Sequence, residues 1–192
     1  MSLHRYDEKC FFPARNDGQP SYVGAKEGKG YNINVAWNTI TDSYSSGVCD
    51  LSSHEYRLAC EEVLLPVAKE FAPDLILVSC GFDSAIHDQL GGSKLCPVGY
   101  YYMTTELLKI CSKMVVVLEG GYNTKYLGIH ASAVVSALLD LELPKLPSSV
   151  RHNRIKAVSD IDPSQAKDWA IEDVQDTKQS LKKYWKCLQG KK

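Results

Sequence analysis

Two side chains with useful chemistry stand directly after apolar runs. Leu75-Ile76-Leu77-Val78-Ser79-Cys80 leads into Gly81-Phe82-Asp83, and Met114-Val115-Val116-Val117-Leu118 leads into Glu119-Gly120-Gly121-Tyr122-Asn123. In open parallel α/β sheets, ligands gather outside the carboxyl ends of the strands. Asp83 and Tyr122 therefore outline one side of a candidate site. A carboxylate at Asp83 could ligate a divalent metal. A helix-capping role is the alternative, and the loop of Gly81, Phe82, Ser84 and Ala85 argues against it. The two glycines before Tyr122 let the backbone approach a ligand closely or take positive φ. A phenol held there can donate to an oxyanion as a carbonyl goes tetrahedral, although a core tyrosine in a tight turn fits these residues equally well.

The remaining polar residues give weaker signals. His87 follows Asp83 by four positions but falls in a polar loop, so it reads as a surface histidine. His4, His54, His130 and His152 do not cluster with acids at metal-ligand spacing. His54 is expected on the surface of a first helical turn and His130 inside a helix as a packing residue. Trp37, Trp169 and Trp185 read as core anchors. Seven cysteines form no C-x-x-C pair and have no partner histidine in a nucleophile motif, which argues against thiol catalysis. Their odd count and spacing point to a reducing compartment.

The elements that must hold Asp83 and Tyr122 follow from pattern. Residues 1–30 are rich in Gly, Pro and charge and read as a long loop, and residues 31–37 alternate in period two as a strand. Residues 38–51 form another polar loop. Ser52 with Glu55 makes a capping box that opens a helix with Tyr56, Ala59, Val63, Val67 and Phe71 on its apolar face. Pro66 should kink or split it, and Pro73 ends it. Strand 75–79 is followed by a polar loop over 84–95. A helix from Pro97 follows, with Met103, Leu107 and Ile110 inward, then strand 114–118 and a helix over 123–141. Strands alternating with helices predict an α/β fold with a parallel sheet covered on both faces. The near-continuous apolar strands fit burial on both sides.

After Pro144 and Pro147 the composition shifts, dividing the chain into 1–143 and a linker plus amphipathic helix over 144–192. Asp162 reads as the cap of that last helix, with Ala166, Trp169, Val174, Leu181, Trp185 and Leu188 at helical spacing. Residues 151–192 hold 10 Lys and Arg against 6 Asp and Glu, while the whole chain has a net charge of −1. That balance suggests neither nucleic acid nor an anionic membrane as partner. No apolar run is long enough to cross a bilayer, and the first residues lack the apolar core of a secretory signal.

Six motifs in order carry a family resemblance: Ser2-Leu3-His4-Arg5-Tyr6-Asp7, Phe11-Phe12-Pro13, Asn34-Val35-Ala36-Trp37-Asn38, Gly81-Phe82-Asp83-Ser84-Ala85, Asp88-Gln89-Leu90-Gly91-Gly92 and Leu118-Glu119-Gly120-Gly121-Tyr122-Asn123. Together they resemble the later part of the zinc-dependent histone deacetylase domain, class II, over roughly residues 2–141. Val35-Ala36-Trp37-Asn38 resembles the branch that holds the cytoplasmic tubulin deacetylase and the polyamine deacetylase.

The resemblance implies an arginase/deacetylase-like parallel sheet with zinc at the bottom of a narrow tunnel. Asp83 would be a zinc ligand and Tyr122 the catalytic oxyanion donor. Phe12, Leu90, Gly120 and Gly121 would line the substrate tunnel. Ser2 and Leu3 would be backbone ligands of a structural potassium, and Tyr31 would belong to a second monovalent-cation site. Tyr122 is the competent residue where a low-activity branch has histidine. Leu90 stands where polyamine deacetylases carry a glutamate, so an acetyl-lysine protein, histone or other, is the expected substrate, in nucleus or cytoplasm.

The family's Asp-x-His metal motif and its tandem histidines have no counterpart in residues 1–192. Catalytic zinc takes three protein ligands plus water. The expectation is therefore a truncated domain, inactive alone, whose missing N-terminal half is its first partner. The alternative is a non-catalytic interaction or regulatory module built on the same fold. An arginase-type hydrolase is disfavoured because its histidine and aspartate clusters are absent.

Overall fold

The computed structural model describes residues 1–39, 50–152 and 154–189. The loop expected over 38–51 and Cys49 therefore lie largely outside the described residues. Residues 1–30 are not loop throughout. Strand β1 (Ser2–Arg5) pairs in parallel with β2 (Asn34–Trp37), in register from Ser2 opposite Asn34 to Arg5 opposite Trp37. A Ser-Leu-His-Arg strand has no alternating apolar pattern to betray it, and its ladder to β2 holds it in place. The expected strand 31–37 shortens to four residues, all buried, so its period two is not an inside–outside alternation. Asn34 is tolerated inside because its amide donates to the carbonyls of Asp17 (2.8 Å) and Gln19 (3.1 Å).

The capping box forms as the sequence predicts. His54 N–H donates to Ser52 Oγ (3.3 Å) and Ser52 N–H donates to Glu55 Oε2 (2.7 Å), opening α1 (Ser53–Ala59). A π turn over Cys60–Leu64 then separates α1 from α2 (Leu65–Phe71). Pro66 falls in the first turn of α2, where a missing N–H leaves no bond unmade. The helix ends at Ala72, in the left-handed region, just before Pro73. Tyr56, Ala59, Val63 and Val67 are buried, but Phe71 at the end of α2 is exposed.

Strand β3 (Ile76–Cys80) pairs in parallel with β4 (Met114–Leu118), joined by α3 (Pro97–Ile110). Helix α4 (Thr124–Leu138) follows and packs against α3. The parallel pairing is thus present as two two-stranded sheets. Burial on both faces of β3 and β4 is not found. Val78, Cys80 and Val116 turn into the main core with Val63, Tyr100 and Val134. Their alternates point outward, with Leu77 71 % and Val117 50 % exposed. Among the described residues the helices cover one face only, so the continuous apolar run leaves a hydrophobic surface. No helix among the described residues is long and apolar enough to cross a membrane.

Asp162 caps a single turn, Pro163–Gln165, accepting from Ser164 N–H at 2.9 Å. The long helix starts later, as α5 (Asp168–Leu181), after an extended Ala166-Lys167. Val174 and Leu181 of α5, with Trp185 and Leu188 after it, join the main core, so the C-terminal residues pack on the body. Their anchor is the first turn of α1. His54 is buried, not on the surface, and its Nδ1 accepts from Asp162 N–H (2.9 Å). Arg57 donates to the carbonyls of Val158 (3.2 Å) and Ile161 (2.6 Å). Buried Glu55 accepts from Ser52 N–H and O–H (both 2.7 Å) and from Lys167 N–H (3.1 Å). Glu55→Ala strands these donors, and urea unfolding should read a loss of about 3 kcal/mol. Glu55→Gln, which keeps one acceptor, should lose less.

Candidate functional site

The site grows from the ends of β3 and β4. Past the last paired residues, Cys80 and Leu118, the ladder continues through Glu119 N–H to Cys80 O (3.2 Å) and Phe82 N–H to Gly120 O (2.9 Å). The two loops therefore run on side by side, and Asp83 lies across the glycine pair. A Cβ on Gly120 would sit 2.9 Å from Asp83 Cγ, and one on Gly81 2.5 Å from Asp83 Oδ1. A side chain at either glycine would push the carboxylate out of this position. Gly121 has φ +124°, a conformation that L side chains rarely adopt. Tyr122 follows it, 53 % exposed.

Residues 84–95 supply the second wall. One Asp88 carboxylate oxygen accepts from the N–H groups of Leu90 (2.8 Å) and Gly91 (3.1 Å), and the other accepts from Tyr122 N–H (2.7 Å). Asn123 Nδ2 donates to His87 O (2.6 Å). Gly91 is pressed so closely on Asp83 that a Cβ there would lie 1.8 Å from the Asp83 carbonyl oxygen. The third wall comes from β1. Arg5, paired with Asp7, donates to Gly91 O (3.2 Å) and lies 4.6 Å over the Phe11 ring. Asp7 also accepts from Thr39 N–H (2.7 Å), tying the end of β1 to the end of β2. Phe12 next door is 86 % exposed and Leu90 61 %.

Asp83, Leu90, Gly120, Gly121 and Tyr122 are thus brought together, with Phe12 on the adjoining loop. Ser2, Leu3 and Tyr31 are not part of that group. Ser2 and Leu3 open β1, with Ser2 N–H donating to Ile33 O (2.8 Å). Tyr31 packs edge-on against Trp185 (5.5 Å) and Phe71 (6.1 Å). Asp88 is the residue that sequence reasoning passed over as a mere part of a motif. An aspartate two residues before Leu-Gly-Gly is a turn signal, but nothing local says that its second oxygen reaches Tyr122.

The other titratable groups are engaged elsewhere. His87 Nε2 hydrogen-bonds Ser149 O (2.5 Å) and His4 Nε2 hydrogen-bonds Gly18 O (2.8 Å). His130, buried on α4 as a packing residue, is held by Tyr126 O (3.0 Å), and burial pulls its pKa below the usual histidine value. Burial pushes the Cys80 thiol up to about 11 and the Cys60 thiol to about 12, so neither is a thiolate at neutral pH. Among the described residues no three His, Cys, Asp or Glu side chains are grouped to hold a metal ion. Asp83 can be one ligand and cannot by itself make a zinc site.

The model of the histone deacetylase domain matches residues 1–138. The chain belongs to the histone deacetylase family. This family member is 42 % identical over 141 residues to histone deacetylase 18 of Arabidopsis thaliana, covering 73 % of this chain and 19 % of that protein. It is 35 % identical over 186 residues to polyamine deacetylase HDAC10 of Danio rerio, covering 96 % of this chain and 24 % of that one. The solved structure of the histone deacetylase Clr3 matches with a TM-score of 0.80 at 31 % identity, over 99 % of this chain and 28 % of that chain. The chain therefore spans about a fifth to a quarter of the curated relatives it matches. Its arginase/deacetylase-like fold extends through the C-terminal residues, beyond the 138 that the domain model covers.

Proposed function

We propose that this chain, located in nucleus or cytoplasm, supplies one wall of a class II-type lysine deacetylase site, which hydrolyses the acetyl amide of acetyl-lysine in a histone or other protein. The observation that carries the proposal is the in-register end of β3 and β4, with the Asp83 carboxylate on Gly120 and Tyr122 two residues further. Zinc, when bound, supplies Lewis-acid polarisation of the acetyl carbonyl and an acidified water. Asp83 would be one of its ligands, and the described residues do not complete the set. The half-exposed Tyr122 phenol would donate to the oxyanion. Phe12 and Leu90 offer apolar surface to the aliphatic stem of the lysine. Leu90 also leaves no charge for a second amine, which favours acetyl-lysine over an acetylpolyamine. Potassium held by the Ser2 and Leu3 backbone, with Tyr31 at a second cation, remains part of the same reading.

On this reading the co-ligands and the proton-transfer histidines come from polypeptide outside these 192 residues. The purified chain is expected to bind less than one zinc per molecule and to show no turnover of a fluorogenic acetyl-lysine peptide. Co-expression with a deacetylase segment bearing tandem histidines and Asp-x-His should restore both. Turnover by the chain alone overturns the incomplete-site reading. Absence of turnover in both forms favours a non-catalytic binding module.

A further inference from the structure

Tyr122 can act on a reacting oxygen only if its loop is held still, and the strand-like bonding between its loop and the β3 end stops short of it, at Gly120 O, which accepts from Phe82 N–H (2.9 Å). Two glycines precede it, Gly121 has positive φ, and the ring is half in solvent. The restraint comes from across the gap. Tyr122 N–H donates to Asp88 Oδ2 at 2.7 Å, a short bond to a charged acceptor. Asp88 Oδ1 meanwhile fastens Leu90 N–H (2.8 Å) and Gly91 N–H (3.1 Å). Beside it, Asn123 Nδ2 reaches His87 O (2.6 Å), a second tie between the same two loops.

We propose that Asp88 is a positioning residue: one carboxylate that fixes the Tyr122 loop and the Leu90 rim to each other, and so sets the distance between oxyanion donor and substrate entrance. The catalytic part rests on the reading of Tyr122 given above. An aspartate serving only its own turn would need the Leu90 and Gly91 bonds alone. The bond to Tyr122 uses the second oxygen, and that is the chemical reason for a carboxylate here. An asparagine has one acceptor atom, its other being a donor, so it can hold one loop but not both.

The test has two arms. In the 192-residue chain, amide hydrogen exchange by NMR is compared for the parent, Asp88→Asn and Asp88→Ala. The Tyr122 amide is expected to exchange about tenfold faster or more in Asp88→Ala, a loss on the scale of one hydrogen bond to a charged group. Asp88→Asn should fall between. Unchanged protection of the β3 and β4 amides shows that the variants are folded. Unchanged exchange at Tyr122 overturns the proposal. In the co-expressed, zinc-loaded form, Asp88→Ala should lower kcat about 100-fold, the order expected from an ångström-scale misplacement. KM should change little, and Asp88→Asn should recover part of the loss. Asp88→Ala on top of Tyr122→Phe should then add nothing further, because both act through one group; additive losses overturn the proposal. If Tyr122→Phe alone is fully active, the deacetylase reading of Tyr122 fails, while the exchange arm still decides whether Asp88 holds the loop.

Discussion

Tyr122→Phe, measured as kcat on a fluorogenic acetyl-lysine peptide in the zinc-loaded co-expressed form, is expected to fall 100- to 1,000-fold, the cost of removing one oxyanion donor. The substitution deletes a single oxygen from a half-exposed ring, so folding and substrate affinity should be almost untouched. Asp83→Asn is expected to differ in kind. It keeps the packing against Gly120 and Gly81 but removes the anionic oxygens that a hard or borderline cation needs. Zinc content should drop together with activity, whereas Tyr122→Phe should retain its metal. If both variants lose activity while keeping full zinc, Asp83 is not a ligand.

The largest effect on stability is expected from Trp185→Ala, at about 3–5 kcal/mol by urea unfolding, the usual range for truncating a buried large aromatic. Trp185 lies in the main core, its Nε1–H donates to Gly30 O (2.8 Å), and its ring meets Tyr31 (5.5 Å) and Phe71 (6.4 Å) edge-on. It fastens the C-terminal residues to the loop before β2 and to the end of α2. The result also tests the division at 143/144 that composition suggests, which we retain as a proposal. A separate C-terminal unit would melt alone and leave the β3–β4 region protected. A single transition shifted as a whole would mean that residues 144–192 fold with the body.

Helix α1 and its cap were readable from sequence because Ser52 and Glu55 act three residues apart. The split near Pro66 was readable because a proline ring forbids an interior helical bond wherever it stands. Strands β3 and β4 were readable from apolar runs, which fixed where Asp83 and Tyr122 would emerge. Strand β1 was not, since Ser, Leu, His and Arg carry no strand signal and pairing with a distant segment holds them. The same holds for His54, which belongs by pattern to an exposed first turn and is buried by residues more than a hundred positions away.

Sequence by itself determined the family motifs, the order of elements from β2 onward and the two residues that carry the proposed chemistry, because each is written in neighbouring positions. The tertiary structure decided that Asp88 joins the two loops, that the first turn of α1 anchors the C-terminal residues, and that one face of β3–β4 stays open. Each of these depends on which groups meet across long stretches of chain, where hydrogen-bond geometry and available cover, not local preference, set the outcome.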